Sequence, residues 1–172
     1  APGGPKGTWQ EVIWQLIDSK AQETGVMMHL VTPELDKGLP VTYCTFPIRG
    51  KPFDRYWDEV EEHLLEEIKK KQGESNHLFR LIRSHGLARE FPLIIFTLKA
   101  FSQGKIEITV DKKIVDSDGR PINGYNLTDE INKQVRGASM MVKRRKRGPI
   151  ARPIRKLCSR TLLEPVNKPE KH

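Results

Sequence analysis

The chain has 172 residues, of which 37% are hydrophobic and 30% are charged, and its formal net charge is +8. This length is enough for one domain with a hydrophobic core, and no apolar run approaches the ~18 residues that a membrane-crossing helix needs. Its two cysteines, Cys44 and Cys158, lie far apart in the sequence. That separation argues against a disulfide framework and favours a reducing intracellular setting.

The positive charge belongs to the second half of the chain. Residues 1–90 hold 12 basic and 14 acidic side chains, whereas residues 91–172 hold 18 and 8. Between Glu130 and Glu164 there are eleven Lys and Arg and no acidic residue. Such a field attracts phosphate-bearing polymers or anionic lipid surfaces. The candidate residues for binding an anion, a nucleocapsid or lipid are Lys143, Arg144, Arg145, Lys146, Arg147, Arg152, Arg155 and Lys156.

Two other interpretations of the basic run stay open: a solvated, solubilising tail and a nuclear-targeting signal. Gly148, Pro149 and Pro153 interrupt the run, so we expect an extended arm rather than a regular helix that reads base edges. Arginine favours bidentate contact with phosphate. Contacts of this kind, with nucleic acid or with lipid headgroups, are largely independent of base sequence.

The first elements carry clear local signals. Thr8 and Glu11 have the spacing of a capping box, and apolar residues then recur at helical spacing. Two short runs of β-branched, aromatic and other apolar residues follow, which is typical of strands. The predicted elements are a flexible leader at 1–7, a helix at 8–22, and strands at 26–31 and 41–46.

The segment from Asp54 to Gln72 predicts one long helix. Acidic residues lie in its first turn and three lysines lie in its last, as the helix dipole prefers. Trp57 and Leu64 both lie on its apolar face, so we expect both side chains in the core.

Shorter elements are predicted for the rest of the chain. They are a helix at 76–85, a hairpin of 93–101 with 105–110, a third arm at 112–115, a turn at 116–119 and a helix at 127–135. The predicted fold class is therefore α+β, a small antiparallel sheet packed with helices over residues 8–136. An extended basic arm is expected at 137–172, with apolar anchor residues at Leu157, Leu162 and Leu163.

The sequence offers no motif for catalysis or metal binding. His77 and His85 are eight residues apart, too far for the one-turn spacing that lets two imidazoles share a metal. The run 116–119 is similar to the start of a calcium loop, but it lacks the later oxygen donors. No nucleophile or phosphate-loop motif is present. We therefore predict a protein that is not an enzyme and has no metal or cofactor.

Three stretches resemble the matrix proteins of rhabdoviruses, especially the plant-infecting type. The first is a strand that runs into Arg49–Tyr56 and then a long helix, similar to the family's strand, basic-Pro-Phe-x-x-Tyr and helix. The second is the apolar helix around 78–82. The third, 104–110, is similar to a strand of the form Gly-x-Ile-Glu-Leu-Thr in animal-virus relatives. The resemblance covers roughly residues 41–115.

The resemblance implies a structural role. Such a protein would self-associate, condense the helical ribonucleoprotein and link it to the envelope. Its partners would be the viral nucleoprotein–RNA complex, further copies of itself, and an anionic membrane surface or the tail of an envelope glycoprotein. It would lie inside the virion and in the host cytoplasm or nucleus.

The chain departs from the animal-virus pattern in two respects. The lysine-rich N-terminal arm and the Pro-Pro-x-Tyr budding motif of those relatives have no counterpart in this sequence. The alternative function is that of a sequence-nonspecific nucleic-acid-binding accessory or regulatory protein. A third hypothesis is that the protein is an enzyme whose active site has no recognisable sequence motif.

Overall fold

The computed structural model describes residues 2–33 and 38–146. The helices are α1 Trp9–Asp18, α2 Asp54–Glu61, α3 Leu65–Gln72, α4 His77–Ser102 and α5 Thr128–Lys146, with a short 3₁₀ turn at Gly73–Ser75. The strands are β1 Glu23–His29, β2 Pro40–Pro47, β3 Ile106–Ile108, β4 Ile114–Asp116 and β5 Tyr125–Asn126. The predicted α+β class is confirmed. None of the helices within these ranges combines the length and apolar character needed to cross a membrane.

Helix α1 begins as predicted. The backbone N–H of Glu11 donates to Thr8 Oγ1 over 3.3 Å, and the Thr8 N–H donates to Glu11 Oε2 over 2.7 Å. These bonds satisfy two amides that have no partner within the helix. The Thr8 N–H and, to a smaller extent, the Thr8 hydroxyl donate to the Glu11 carboxylate and hold its pKa below the usual value. The helix ends at Asp18, four residues before the predicted end, and β1 begins at Glu23.

The main sheet has three strands in the order β1, β2, β5. Strands β1 and β2 are antiparallel with Val26 opposite Cys44, and β5 adds a short parallel pair to β2. From Thr42 onward strand β2 alternates in burial, with Cys44 and Phe46 buried. The two strands predicted at 26–31 and 41–46 are therefore present, the first with a start three residues earlier.

The helix predicted from Asp54 to Gln72 is broken in two. Leu64 has extended backbone dihedral angles (φ −69°, ψ 124°) and precedes α3. Its side chain is 72% exposed, so the prediction that Leu64 is a core residue is wrong, whereas Trp57 is buried as predicted. A continuous helix would place Asp58, Glu62 and Glu66 one turn apart, and like charges at that spacing repel each other.

The largest correction concerns residues 77–102, which form one 26-residue helix. The sequence predicted a short helix at 76–85 and then a strand at 93–101. Helix α4 instead continues through Gly86 and Pro92. Pro92 removes one hydrogen bond, because it has no N–H to donate to the carbonyl of Ala88. That carbonyl belongs to an exposed residue and is open to water.

The predicted hairpin is correspondingly rearranged. Strand β3 pairs antiparallel with β4, which is the third arm of the prediction, and not with residues 93–101. The turn after β4 is present as predicted. Asp116 Oδ1 accepts the backbone N–H groups of Asp118 and Arg120, and Gly119 has a φ of +77° that favours glycine.

Helix α5 is longer than predicted. It continues through Gly137, so residues 137–146 of the predicted extended arm are helical. A single glycine costs a helix about 1 kcal/mol, which its neighbours can offset. The remainder of the arm, residues 147–172 with the predicted anchor at Leu157, Leu162 and Leu163, lies outside the described residues.

The core lies between the sheet and the helices. The largest cluster of buried side chains joins α1, β2, α2, α3 and the first half of α4 around Trp57. Trp57 Nε1 donates to the carbonyl of Ile48 over 2.6 Å, so this buried indole keeps its hydrogen bond. A second cluster includes Cys44, Leu93, Leu127 and Ile131, and it attaches α5 to α4 and β2.

Candidate anion-binding segment and exposed helix face

The basic candidates fall into two groups. Lys143, Arg144, Arg145 and Lys146 occupy the last described positions of α5. Four consecutive positions of an α-helix span a full turn, so their Cα atoms are distributed around the helix axis. The other candidates, Arg147, Arg152, Arg155 and Lys156, lie outside the described residues.

The first turns of α5 fasten this basic run to the folded body. The backbone N–H of Leu127 donates to the carbonyl of Tyr43 over 2.8 Å. Thr128 Oγ1 accepts the N–H of Thr45, and Asn132 Nδ2 donates to the Thr45 carbonyl, both over 3.0 Å. Ile131 is fully buried between these contacts. The positions from 136 to 138, which precede the basic run, are exposed.

A buried arginine strengthens the same attachment. Arg89 of α4 donates from Nε to Asn132 Oδ1 over 2.9 Å and from Nη1 to the carbonyl of His85 over 2.7 Å. Its guanidinium lies 4.2 Å from the ring centroid of Phe46. Arg89 therefore ties α4, α5 and β2 together, a role that no sequence pattern predicted, since residue 89 lay outside the helix predicted at 76–85.

The ionisable groups around Arg89 do not resemble an activated nucleophile. Burial raises the pKa of the Cys44 thiol, although the Arg89 charge opposes that shift. Burial and the charge of Arg89 both lower the pKa of His85. Burial likewise lowers the pKa of Arg89 itself. A nucleophilic cysteine needs a lowered pKa, so the environment of Cys44 favours the inert thiol.

A cleft of about 430 Å³ lies where the N-terminal leader passes α1 and β1. Its lining is mostly glycine, proline and apolar side chains, together with Glu23 and His29. Gln15 Nε2 donates to the carbonyl of Lys6 over 3.2 Å and holds the leader against α1. Across residues 2–33 and 38–146, no three His, Cys, Asp or Glu side chains lie close enough together to hold a metal ion.

The second candidate surface is the face of α4 that points away from the core. Five large apolar side chains on this face are between 43% and 70% exposed. At 100° per residue they cover one side of the helix, opposite the buried Leu93 and Ala100. We call them the outer seam of α4: Leu87, Phe91, Ile94, Ile95 and Leu98.

Sequence reasoning missed the outer seam. Its intervals of four, three and four residues (Leu87, Phe91, Ile94 and Leu98) indicate a helix. The inner face contributes Leu93 and Phe96 to the same stretch, so the run 92–96 is continuously apolar and has the length of a strand. The helical spacing of the outer seam is visible in the sequence when the pattern is followed across Gly86 and Pro92.

Comparison of the chain with protein-family models, curated protein sequences and solved structures finds no match.

Proposed function

We propose that this protein is a non-enzymatic viral matrix protein that self-associates, condenses a helical ribonucleoprotein and links it to an envelope. The observation that carries the proposal is the run of eleven basic residues without an acid, which begins on a helix fastened to the folded body. A fixed attachment with a dense positive charge lets many copies hold one phosphate backbone without reading its sequence.

The charge asymmetry supports assembly as well as binding. Residues 1–90 carry a slight acidic excess and residues 91–172 carry the whole basic excess. Head-to-tail contacts between copies are therefore favourable, and contacts that do not close on themselves build filaments or sheets. Each contact is weak and screened by salt, so the layer forms only where many copies line up.

The family resemblance supports the same role, and two of the stretches that carry it can be located in the structure. The stretch Arg49–Tyr56 connects β2 to α2, and the guanidinium of Arg49 lies 3.7 Å from the ring centroid of Trp57. The stretch 104–110 contains β3. The helix that follows the first stretch is interrupted at Leu64, which departs from the single long helix of the resemblance.

The test of anion binding removes three charges from the basic run. The variant Lys143→Ala/Arg144→Ala/Arg145→Ala should bind RNA more weakly, with a log–log salt slope lower by about 0.7–0.9 per lost phosphate contact. The matched control, Lys69→Ala/Lys70→Ala/Lys71→Ala, removes three charges from α3 on the folded body. Equal slopes for both variants would refute the basic run as the binding segment.

The alternative is a nucleic-acid-binding accessory or regulatory protein, which the same basic run favours. Association state separates the two. A matrix protein should scatter light increasingly as salt is lowered and should coat a nucleocapsid in electron micrographs. If the full chain stays monomeric or strictly dimeric at low salt and high concentration, the matrix proposal fails and the regulator replaces it.

A further inference from the structure

The outer seam of α4 has the geometry of a helix-pairing surface. Leu87, Phe91, Ile94 and Leu98 repeat at intervals of four, three and four residues, which is the spacing of the contact seam between paired helices. Ile95 lies beside them and widens the seam. Phe91 is 70% exposed and Leu98 61% exposed, so a large apolar area is left to solvent. Contiguous apolar patches of this kind mark contact sites on soluble proteins.

The middle of the seam carries little net charge, whereas the exposed Arg80 and Lys99 lie near its two ends. On one side of it lie the exposed, uncharged residues Ser84, Ala88 and Ser102. On the other side Arg83 Nη1 lies 3.0 Å from Glu90 Oε1, so these two charges offset each other. Between residues 84 and 98 the seam therefore offers little to a phosphate polymer or an anionic headgroup. It suits an apolar partner of equally low charge.

We infer that the partner is a second copy of this chain, with α4 packed antiparallel against α4 across a two-fold axis. An axis between Phe91 and Ile94 places Phe91 opposite Ile94 of the second copy and Leu87 opposite Leu98 of the second copy. Every seam residue then meets an apolar residue or the stem of a longer side chain. Lys99 falls opposite Gly86 of the second copy, and the like-charged Arg80 and Lys105 come level with each other only at the ends of the contact. A two-fold contact needs this self-complementarity, because the same patch serves on both sides.

The available area sets the strength of the pairing. Five partly exposed side chains provide on the order of several hundred Å² per copy, below the roughly 800 Å² per partner of a standard stable interface. The contact is therefore a reversible dimer. It stands apart from the proposed function, because burial of apolar surface persists at high salt whereas contacts of the basic run are screened.

The test is sedimentation equilibrium of the full chain at high salt, where charge-driven assembly is suppressed. Wild type should show a reversible monomer–dimer equilibrium. The variant Phe91→Glu/Ile95→Glu should raise the dissociation constant about tenfold or more, because it buries four carboxylates in one dimer. Val110 is a fully exposed apolar residue away from α4, so Val110→Glu is the control and should leave the constant unchanged.

A wild-type chain that stays monomeric at every concentration overturns the inference, as does an equal effect of both variants. A monomer whose thermal midpoint falls in the double variant would show that the seam packs within its own chain and not against a second copy. A monomer that binds vesicles of neutral lipid through the seam would assign the seam to a membrane instead. If the double variant does not fold, Leu98→Ser replaces it, and an unchanged dimer then counts against the seam. None of these results depends on the RNA salt slope, so the seam and the proposed function fail separately.

Discussion

The two faces of α4 contain similar side chains and serve different purposes. Toward the body, Phe79, Ile82 and Leu93 are at most 2% exposed and pack against the sheet and the other helices. Toward solvent, Phe91 and Leu98 are more than half exposed. Apolar composition therefore does not decide whether a position stabilises the fold. A position stabilises the fold only when other side chains pack against it. The inner face of α4 has such contacts with the body, whereas the outer seam is exposed and is the surface for which we propose a second copy.

A matched pair of leucines tests this difference with the largest expected effect. Leu93→Ala should lower the free energy of unfolding by about 2–5 kcal/mol, because it leaves a cavity in a closed core. Leu98→Ala should change it by at most about 0.5 kcal/mol at concentrations where the chain is monomeric, because the side chain is already in water. Urea unfolding monitored by circular dichroism measures both. Similar losses in the two variants would contradict the assignment of the two faces.

A buried pair of hydroxyl groups sharpens the description of the inner face. Thr97 Oγ1 lies 2.6 Å from Thr42 Oγ1 and donates to the carbonyl of Leu93, so Thr42 is the donor to Thr97. Thr97→Val should cost about 1–3 kcal/mol, because it leaves the buried Thr42 hydroxyl without a partner. The double variant with Thr42→Val should recover part of that loss in the same unfolding experiment. Strict additivity of the two changes would show that the hydroxyls do not interact.

Substitutions at the N-terminal cap of α1 test how far the packing of the inner face of α4 depends on α1. Trp14 of α1 lies 5.0 Å from the ring of Phe79, so a frayed α1 would expose α4 at this contact. Thr8→Ala should cost about 0.5–2 kcal/mol, whereas Thr8→Asn retains an acceptor and should cost less. Thermal unfolding of the two variants gives the comparison. Equal melting temperatures in the two variants would show that the capping hydroxyl is dispensable.

A smaller, pH-dependent effect is expected at His85, on the edge of the inner face. Burial and the charge of Arg89 lower its pKa in the folded state below the ordinary value of 6.5. The unfolded chain therefore takes up a proton first, and stability falls as the pH drops below about 6.5 until folded His85 is protonated as well. His85→Gln should reduce the loss of stability between pH 7.5 and 5.5 relative to wild type. The exposed His63 is the control, and His63→Gln should retain the wild-type dependence.

The parts of the fold that the sequence predicts are those with local signals. The capping box at Thr8 and Glu11 predicts the start of α1, and the β-branched run of β2 predicts a strand. The break at Leu64 was not predicted because no Gly or Pro marks it, although the one-turn spacing of Asp58, Glu62 and Glu66 is visible in the sequence and disfavours a continuous helix. The prediction of a strand at 93–101 was wrong. Apolar residues lie on both faces of α4, so the sequence shows a continuous apolar run and not the 3.6-residue period of a helix.

The two candidate surfaces differ in the same way. The basic run is visible in composition alone, because charge needs no tertiary context to be recognised. The outer seam requires knowledge of which face of α4 the body covers, and that depends on where α5 and the sheet pack. Arg89 is a further case, since the tertiary fold brings Asn132 and the ring of Phe46 to its guanidinium.

Photo-crosslinking from position 91 tests the central claim about α4 most directly. A benzophenone-bearing phenylalanine analogue in place of Phe91 keeps the aromatic shape, and illumination of the full chain at high salt records what lies against the outer seam. We predict a covalent dimer whose crosslink, located by mass spectrometry, falls on residues 91–98 of the second copy. A crosslink to residues 147–172 of the same chain, or no covalent dimer at concentrations well above those used for sedimentation, would contradict the account.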